Sequence, residues 1–304
     1  MKKVILVAGA TGNLGLRIVK ALSNRDAEIR VLVRSDSAND SIETLEQLGA
    51  KIYRVNKWDL EELTTPCLGV SCVVSVLAGL REVVIDAQKV LLNAAIAAGV
   101  DRFIPSDYSL DFTNFSDGEN RNLDWRREFH EYLDKTSIAA TSIFNGAFTE
   151  LLTDEMPLIL FKQKLILYWG HADHKLGFTT MDNTAKFTAN VALEASSPRY
   201  LHIAGDQISP REIKVVASKV TGHKFRLFRA GGKILLGILI KIGRKFSPAE
   251  KELYPAWQGM QYMHNMIDER SKMDKLDNNR YTEMQWTSVK DFLLENQNSI
   301  NLKN

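Results

Sequence analysis

Three glycines at a fixed spacing, Gly9, Gly12 and Gly15, constrain this chain more than any other feature. They follow an apolar run at residues 4–8 and open a segment, residues 14–22, whose apolar side chains recur at helical spacing. In such a strand–turn–helix unit each glycine has its own task. Gly9 permits the tight turn, Gly12 lets the backbone approach a pyrophosphate where a Cβ would collide, and Gly15 lets the helix pack close to the sheet. With Thr11, Asn13 and Leu14, the turn offers phosphate the unpaired N–H groups and positive dipole end of a helix N-terminus. A glycine triplet alone is a weak signal and is compatible with a purely structural turn. Its place inside a βαβ unit is what points to a dinucleotide.

The second strand-like run, residues 28–34, ends at Arg34-Ser35. A site selective for NAD(H) places an acidic residue there to accept from the ribose 2′-hydroxyl. A guanidinium instead grips a 2′-phosphate with two hydrogen bonds and stacks on adenine, and Ser35 adds a donor. The expected cofactor is NADP(H), with an ordinary surface charge as the other reading of Arg34.

Strand and helix signals continue to alternate. Residues 42–48 are helical, 51–55 are strand-like, and 70–76 form the Val/Ser run of a strand buried on both faces. Residues 83–98 predict an Ala-rich helix ending at Gly99, and 102–105 a short strand. Trp125, Phe129, Tyr132 and Leu133 then form a helical stripe, and 140–144 predict a further strand. This alternation implies an α/β fold, a Rossmann-type doubly wound parallel sheet. Beyond about residue 150 the pattern loosens. Short strands are expected at 165–169, 178–180 and 200–204, with a helix at 182–195 capped by Asp182. Ser209, Pro210 and Glu212 form a capping box, and 231–267 read as helical and rich in Trp, Tyr and Met. The expected organisation is an NADP-binding Rossmann domain at 1–150 and a smaller mixed α/β C-terminal lobe for substrate at 151–304, with strands shared across a soft boundary.

Hydrophobic residues make up 45% of the chain and charged residues 25%, a globular composition. A net charge of +2 supplies no field that would favour nucleic acid or a membrane as partner. The opening apolar run is too short for a secretory signal, and residues 234–242, broken by Gly237 and Lys241, are too short to span a bilayer. Cys67 and Cys72 read as free thiols, and a cytoplasmic location is expected by default. His171-Ala-Asp-His174 reads as a polar loop rather than a metal site, and no metal is expected.

Longer blocks carry a family resemblance. GATGNLG at 9–15, VLVRS ending at Ser35, AAGVDRFIPSDY ending at Tyr108 and SIAATSIFNGAFTELL ending at Leu152 together resemble the NmrA-like family of atypical short-chain dehydrogenases/reductases. Within it they look most like the isoflavone reductase and phenylcoumaran benzylic ether reductase group. The last two blocks are the specific ones. The resemblance implies that the backbone at Ala78 and Gly79 runs beside the adenosine ribose. It implies that Asn145 faces the nicotinamide carboxamide and that Phe148 walls a substrate pocket. Trp169 is a further pocket candidate. Plain core packing is the competing reading of the aromatic residues.

The superfamily's usual Tyr-x-x-x-Lys pair is absent, since Tyr132 and Lys135 are one residue too close to share a helix face. Counting back from Ile138, the lysine of the reductase branch falls at Arg126. Arginine can hold an oxygen but cannot act as a base near neutral pH. His130 lies one turn on and could move a proton, although both residues also suit a solvated helix face. Ser106 occupies the place of the superfamily's substrate-oxygen hydroxyl, and Tyr108 offers a phenol, with a simple turn cap as the alternative. The leading expectation is an NADPH-dependent reductase of a small aromatic or carbonyl-bearing substrate. In it Arg126 and Ser106 stabilise negative charge on oxygen, and Tyr108 or His130 donates a proton. The alternative is a non-catalytic NADP(H) sensor that acts through a protein partner.

Overall fold

Strand and helix follow one another through the first hundred residues of the computed structural model, which describes residues 2–153 and 156–302. In chain order they are β1 (Lys3–Ala8), α1 (Asn13–Ser23), β2 (Ala27–Arg34), α2 (Asn39–Gln47), β3 (Lys51–Val55), α3 (Leu60–Cys67), β4 (Cys72–Ser75), α4 (Gln88–Ala97) and β5 (Arg102–Ile104). There follow α5 (Arg121–Leu133), β6 (Ala139–Ala140), β7 (Ser142–Phe144), β8 (Ala147–Phe148), β9 (Ile159–Leu160), β10 (Leu165–Trp169) and β11 (Leu176–Thr179). The chain closes with α6 (Met181–Ala192), β12 (Tyr200–His202), β13 (Asp206–Ile208), α7 (Pro210–Thr221), β14 (Arg226–Gly231), α8 (Lys233–Phe246), α9 (Ala256–Met266), α10 (Val289–Glu295) and α11 (Gln297–Leu302).

Two units emerge, interleaved along the chain. The first holds the chain up to Tyr108 together with Asn122–Ile143 and Thr184–Leu201. The second holds Ser109–Arg121, Phe144–Asn183 and the chain from His202 onward.

The first unit is built on six parallel strands in the order β3-β2-β1-β4-β5-β6. The order reverses between β1 and β4, and in a doubly wound sheet the carboxyl ends of the strands at such a reversal border the ligand crevice. Every residue of β4 is buried, as are Ile5 to Ala8 in β1, because helices cover both faces. One core face joins Leu6, Leu32, Val73, Leu91, Phe103 and Phe129. The chain therefore has the Rossmann-type doubly wound fold. The second unit carries two small mixed sheets, β14-β10-β9 and β13-β11-β8, each with one parallel and one antiparallel pairing.

Several local expectations need correction. The helix expected at 83–98 is π-helical over Glu82–Ala87 before α4 begins. There the buried Gln88 amide donates to the Val84 carbonyl (2.9 Å), and the Trp58 indole donates to the Ala87 carbonyl (2.8 Å). Inserted side-chain partners of this kind accompany widened turns. Helix α6 is capped by Thr180, whose hydroxyl accepts from the Asn183 N–H at 3.1 Å, and Asp182 lies inside the helix. The strand expected at 140–144 is broken at Thr141 into β6 and β7. The region 231–267 is two helices, α8 and α9, with β14 ahead of them. The capping box of α7 forms as expected.

Candidate active site

The turn between β1 and α1 shows why three glycines are needed. Gly9 has φ +88°, and a Cβ on it would lie 2.6 Å from the Val76 carbonyl oxygen. A Cβ on Gly15 would overlap the Gly9 backbone, so this glycine sets the approach of α1 to β1. Gly12 differs. It is the extended N-cap of α1 (φ −78°, ψ 165°), and a Cβ there would meet only the Gly9 carbonyl at 3.3 Å. Its N–H donates to Gly9 (3.1 Å), its carbonyl receives the Leu16 N–H (2.9 Å), and no side chain caps the helix. Thr11, Gly12 and Asn13 are exposed, and the first turn of α1 holds no acidic residue. What remains is a positive helix end in a cradle that any Cβ at position 12 would enter, which fits a dinucleotide phosphate.

Arg34 ends β2 with its guanidinium exposed, 3.3 Å from the equally exposed Asp36 carboxylate. Exposed pairs of this kind are weak, so a phosphate can displace Asp36. The Ser35 amide is spent on the Val55 carbonyl of β3 at 3.0 Å. Past β4, the Val76 N–H donates to Ala8 (2.8 Å), which fixes the segment carrying Ala78 and Gly79. A Cβ on Gly79 would press into the Val83 side chain, at 2.6 Å from its Cβ.

Beyond β5, Ser106 and Asp107 gather most of the remaining candidates of this unit. The Ser106 hydroxyl donates to the Leu77 carbonyl (2.8 Å), and its N–H donates to the buried Gln88 side-chain oxygen (2.9 Å). From α5, Arg126 donates Nε to the Ser106 carbonyl (3.1 Å) and one terminal nitrogen to the Asn122 carbonyl (2.9 Å). His130 is buried, with Nε2 2.6 Å from an Asp107 carboxylate oxygen, and its ring stacks on Tyr200 with centroids 6.3 Å apart. The Ser142 hydroxyl donates to the same carboxylate oxygen (2.6 Å) and itself accepts from Arg199 (2.6 Å). Burial pushes the Asp107 pKa up, but attraction to His130, hydrogen bonds from His130 and Ser142, and Arg126 outweigh it and hold the carboxyl below its ordinary value. Tyr108 is buried, and burial raises its phenol well above the ordinary range, a placement that suits packing better than proton donation.

Sequence reasoning did not single out Gln88, Ser142 or Arg199. Of these only Gln88 carries a signal, an amide inside the apolar run of α4.

In the second unit Asn145 is fully buried. Its N–H donates to the Ser109 carbonyl (2.9 Å) and its carbonyl accepts from Thr179 (2.7 Å), yet neither atom of its side-chain amide has a partner among the described residues. Gly146, at φ +68°, lets this segment pass against Gly177. Gly146 and Gly177 also line a cavity of about 700 Å³ with Leu110, Met273, His171 and Lys175. Trp169 ends β10 in a small apolar recess with Leu158 and Met263, and Phe148, half-buried in β8, lines neither space. Among the described residues no three His, Cys, Asp or Glu side chains are grouped to hold a metal ion.

Known proteins resemble this chain in sequence and in fold. Pinoresinol reductase 1 of Arabidopsis thaliana is 29% identical over 217 residues, 66% of this chain and 67% of that one. The bifunctional pinoresinol-lariciresinol reductase of Forsythia intermedia is 26% identical over 323 aligned positions, covering 96% of this chain and 98% of its own. The solved binary complex of leucoanthocyanidin reductase with NADPH from Vitis vinifera superposes with a TM-score of 0.79 at 18% identity, over 96% of this chain and 98% of that one. The NmrA-like family model matches residues 1–293, and the chain belongs to that family.

Proposed function

We propose that this protein is an NADPH-dependent reductase of a small aromatic or carbonyl-bearing substrate. The observation that carries the reading is the uncapped end of α1 behind Gly12, a phosphate cradle in a chain of this family. Its N–H groups, with Thr11, Asn13 and Leu14, hold the pyrophosphate. Arg34 and Ser35 hold the 2′-phosphate, the backbone at Ala78 and Gly79 flanks the ribose, and the unpartnered Asn145 amide answers the carboxamide. NADPH supplies the hydride. Arg126 keeps its second terminal nitrogen free of protein partners among the described residues and offers it to substrate oxygen. Ser106 still has acceptor capacity beside it. His130, locked to Asp107, fixes the Ser106–Asp107 segment in place, and any proton it passes must travel through that pair. Reductase activity in the curated relatives favours this reading over a non-catalytic sensor.

Cys67 and Cys72 are buried and free, and burial pushes both thiols up to about 12, which makes them inert; the location proposed for the protein is the cytoplasm. No helix among the described residues is long and apolar enough to cross a membrane.

The test is NADPH oxidation followed at 340 nm across lignans, quinones, enones and aryl aldehydes, with binding measured by calorimetry. Turnover that falls about a hundredfold in Arg126→Ala is expected. Tight NADPH binding without turnover of any class would overturn the reductase in favour of the sensor. No binding of either pyridine nucleotide would overturn both.

A further inference from the structure

Helix α8 has two apolar faces, and the fold uses one. Leu236 and Ile240 are buried, and Gly243 lies so close to α9 that a Cβ would come within 3.1 Å of the Trp257 Cβ. The other face is exposed: Ile234 at 84%, Phe246 at 78%, Ile238 and Ile242 at 48% each, and Leu235 at 44%. Ile234, Ile238 and Ile242 stand four residues apart and form one continuous line. Helix α8 also carries Lys233, Lys241, Arg244 and Lys245 and no carboxylate. Lys233 pairs with Asp268 and Arg244 lies over the Trp257 ring, but Lys241 and Lys245 each stand three residues beyond a residue of the isoleucine line, at its edge, with Lys245 over the exposed Phe246 ring at 5.8 Å.

We propose that this face of α8 docks on an anionic lipid surface, with its isoleucine line in the interface and Lys241 and Lys245 on the headgroups. A protruding apolar ridge edged by cations is the arrangement of helices that lie in the plane of a membrane. At 14 residues α8 is about 21 Å long, short of the roughly 30 Å hydrocarbon core, so it lies on the bilayer and does not span it. A second copy of the chain is a poorer occupant. A two-fold interface sets the same patch against itself, and α8 holds no carboxylate to answer Lys241 and Lys245. Helix α8 belongs to the second unit and the proposed cofactor turn to the first, and docking is read without cofactor, so the two proposals fail independently.

The full-length protein is floated with vesicles of phosphatidylcholine alone and of phosphatidylcholine with about a third phosphatidylserine, in low and high salt. Binding to the anionic vesicles that weakens in salt is expected. Each basic residue near such a surface is worth roughly fivefold in partition, so Lys241→Ala with Lys245→Ala should weaken binding about 25-fold. Ile238→Ser with Ile242→Ser should abolish it, while melting temperature and NADPH affinity stay as in the unaltered protein. No preference for anionic vesicles in the unaltered protein would overturn the proposal without recourse to any variant. So would self-association in sedimentation velocity that Ile238→Ser removes, or capture of a polyglutamate peptide, if either occurs without vesicle binding.

Discussion

Replacing each turn glycine by alanine should separate the cost to folding from the cost to cofactor binding. At Gly12 the backbone is extended, and the only close neighbour of a new Cβ is the Gly9 carbonyl at 3.3 Å, so the fold yields by tenths of an ångström. Alanine is the poorer N-cap by about 0.5–1 kcal/mol, but it removes unfolded-chain entropy worth about 0.4–1 kcal/mol, and the two nearly cancel. The new methyl group does stand where the phosphate must approach. Losing one charge-assisted hydrogen bond costs about 1.5–3 kcal/mol, or roughly 10- to 100-fold in NADPH affinity. Gly9→Ala should behave in the opposite way. Left-handed backbone costs about 1–2 kcal/mol for alanine, and the Cβ at 2.6 Å from Val76 adds an overpacking cost of about 1–3 kcal/mol. At roughly 2–4 °C per kcal/mol, the melting temperature should fall by about 4–20 °C. Gly15→Ala joins Gly9→Ala. The assay pairs calorimetric NADPH titration with thermal melting for all three variants. Gly12→Ala binding NADPH within twofold of the unaltered protein, at equal stability, would refute the phosphate cradle.

Arg34→Asp should cost NADPH at least tenfold in affinity and leave NADH nearly untouched, since the side chain is exposed and only weakly paired; equal losses in titrations of both nucleotides would discredit its role. Asn145→Leu should raise the melting temperature of the cofactor-free protein, because a buried amide without partners costs about 1–3 kcal/mol, while NADPH oxidation falls; a lower melting temperature would show the amide to be structural. The Asp107 carboxyl is held below its ordinary value, so its ionisation stabilises the fold above about pH 4, and this is lost as pH falls through the depressed folded value. Asp107→Asn should therefore melt several degrees lower across pH 5–8, with the gap closing only in stronger acid; a gap that persists unchanged into strong acid would show the carboxyl's charge to be incidental.

The readable elements are those whose signals are local. The Gly9–Gly15 spacing and the continuous Val/Ser run of β4 in the first unit, and the Ser209 capping box in the second, each state a backbone requirement within a few residues, and each forms. Misreadings arose where distant partners decide the outcome. Asp182 looks like a cap because capping residues are short and polar, yet Thr180 sits two residues earlier with its hydroxyl on Asn183. The π-helical turn before α4 depends on Trp58, which lies 29 residues from the carbonyl it binds. Tyr108 and His130 read as available proton carriers because spacing does not reveal burial. In the fold one is packed inside and the other is paired with Asp107. Ser142 and Arg199 could not be found from spacing, since they meet only through a strand and a loop 57 residues apart.

Groups that act on a ligand need bonding capacity the fold has not consumed, and this distinguishes Arg126 from its neighbours. His130 and Ser142 both bond one Asp107 carboxylate oxygen, whereas Arg126 spends Nε on the Ser106 carbonyl and one terminal nitrogen on Asn122, and has a terminal nitrogen to spare. A planar guanidinium can brace two carbonyls in fixed directions and still present a donor. An ammonium on a flexible stem holds no such fork. The lysine expected here by family resemblance should therefore not substitute freely in this chain. Arg126→Lys should release the Ser106 carbonyl and misplace the remaining charge. We expect kcat to fall about a hundredfold, the loss typical of a removed oxyanion donor, with NADPH affinity unchanged. Full activity in Arg126→Lys would show that charge alone suffices and that the bracing bonds to Ser106 and Asn122 are incidental.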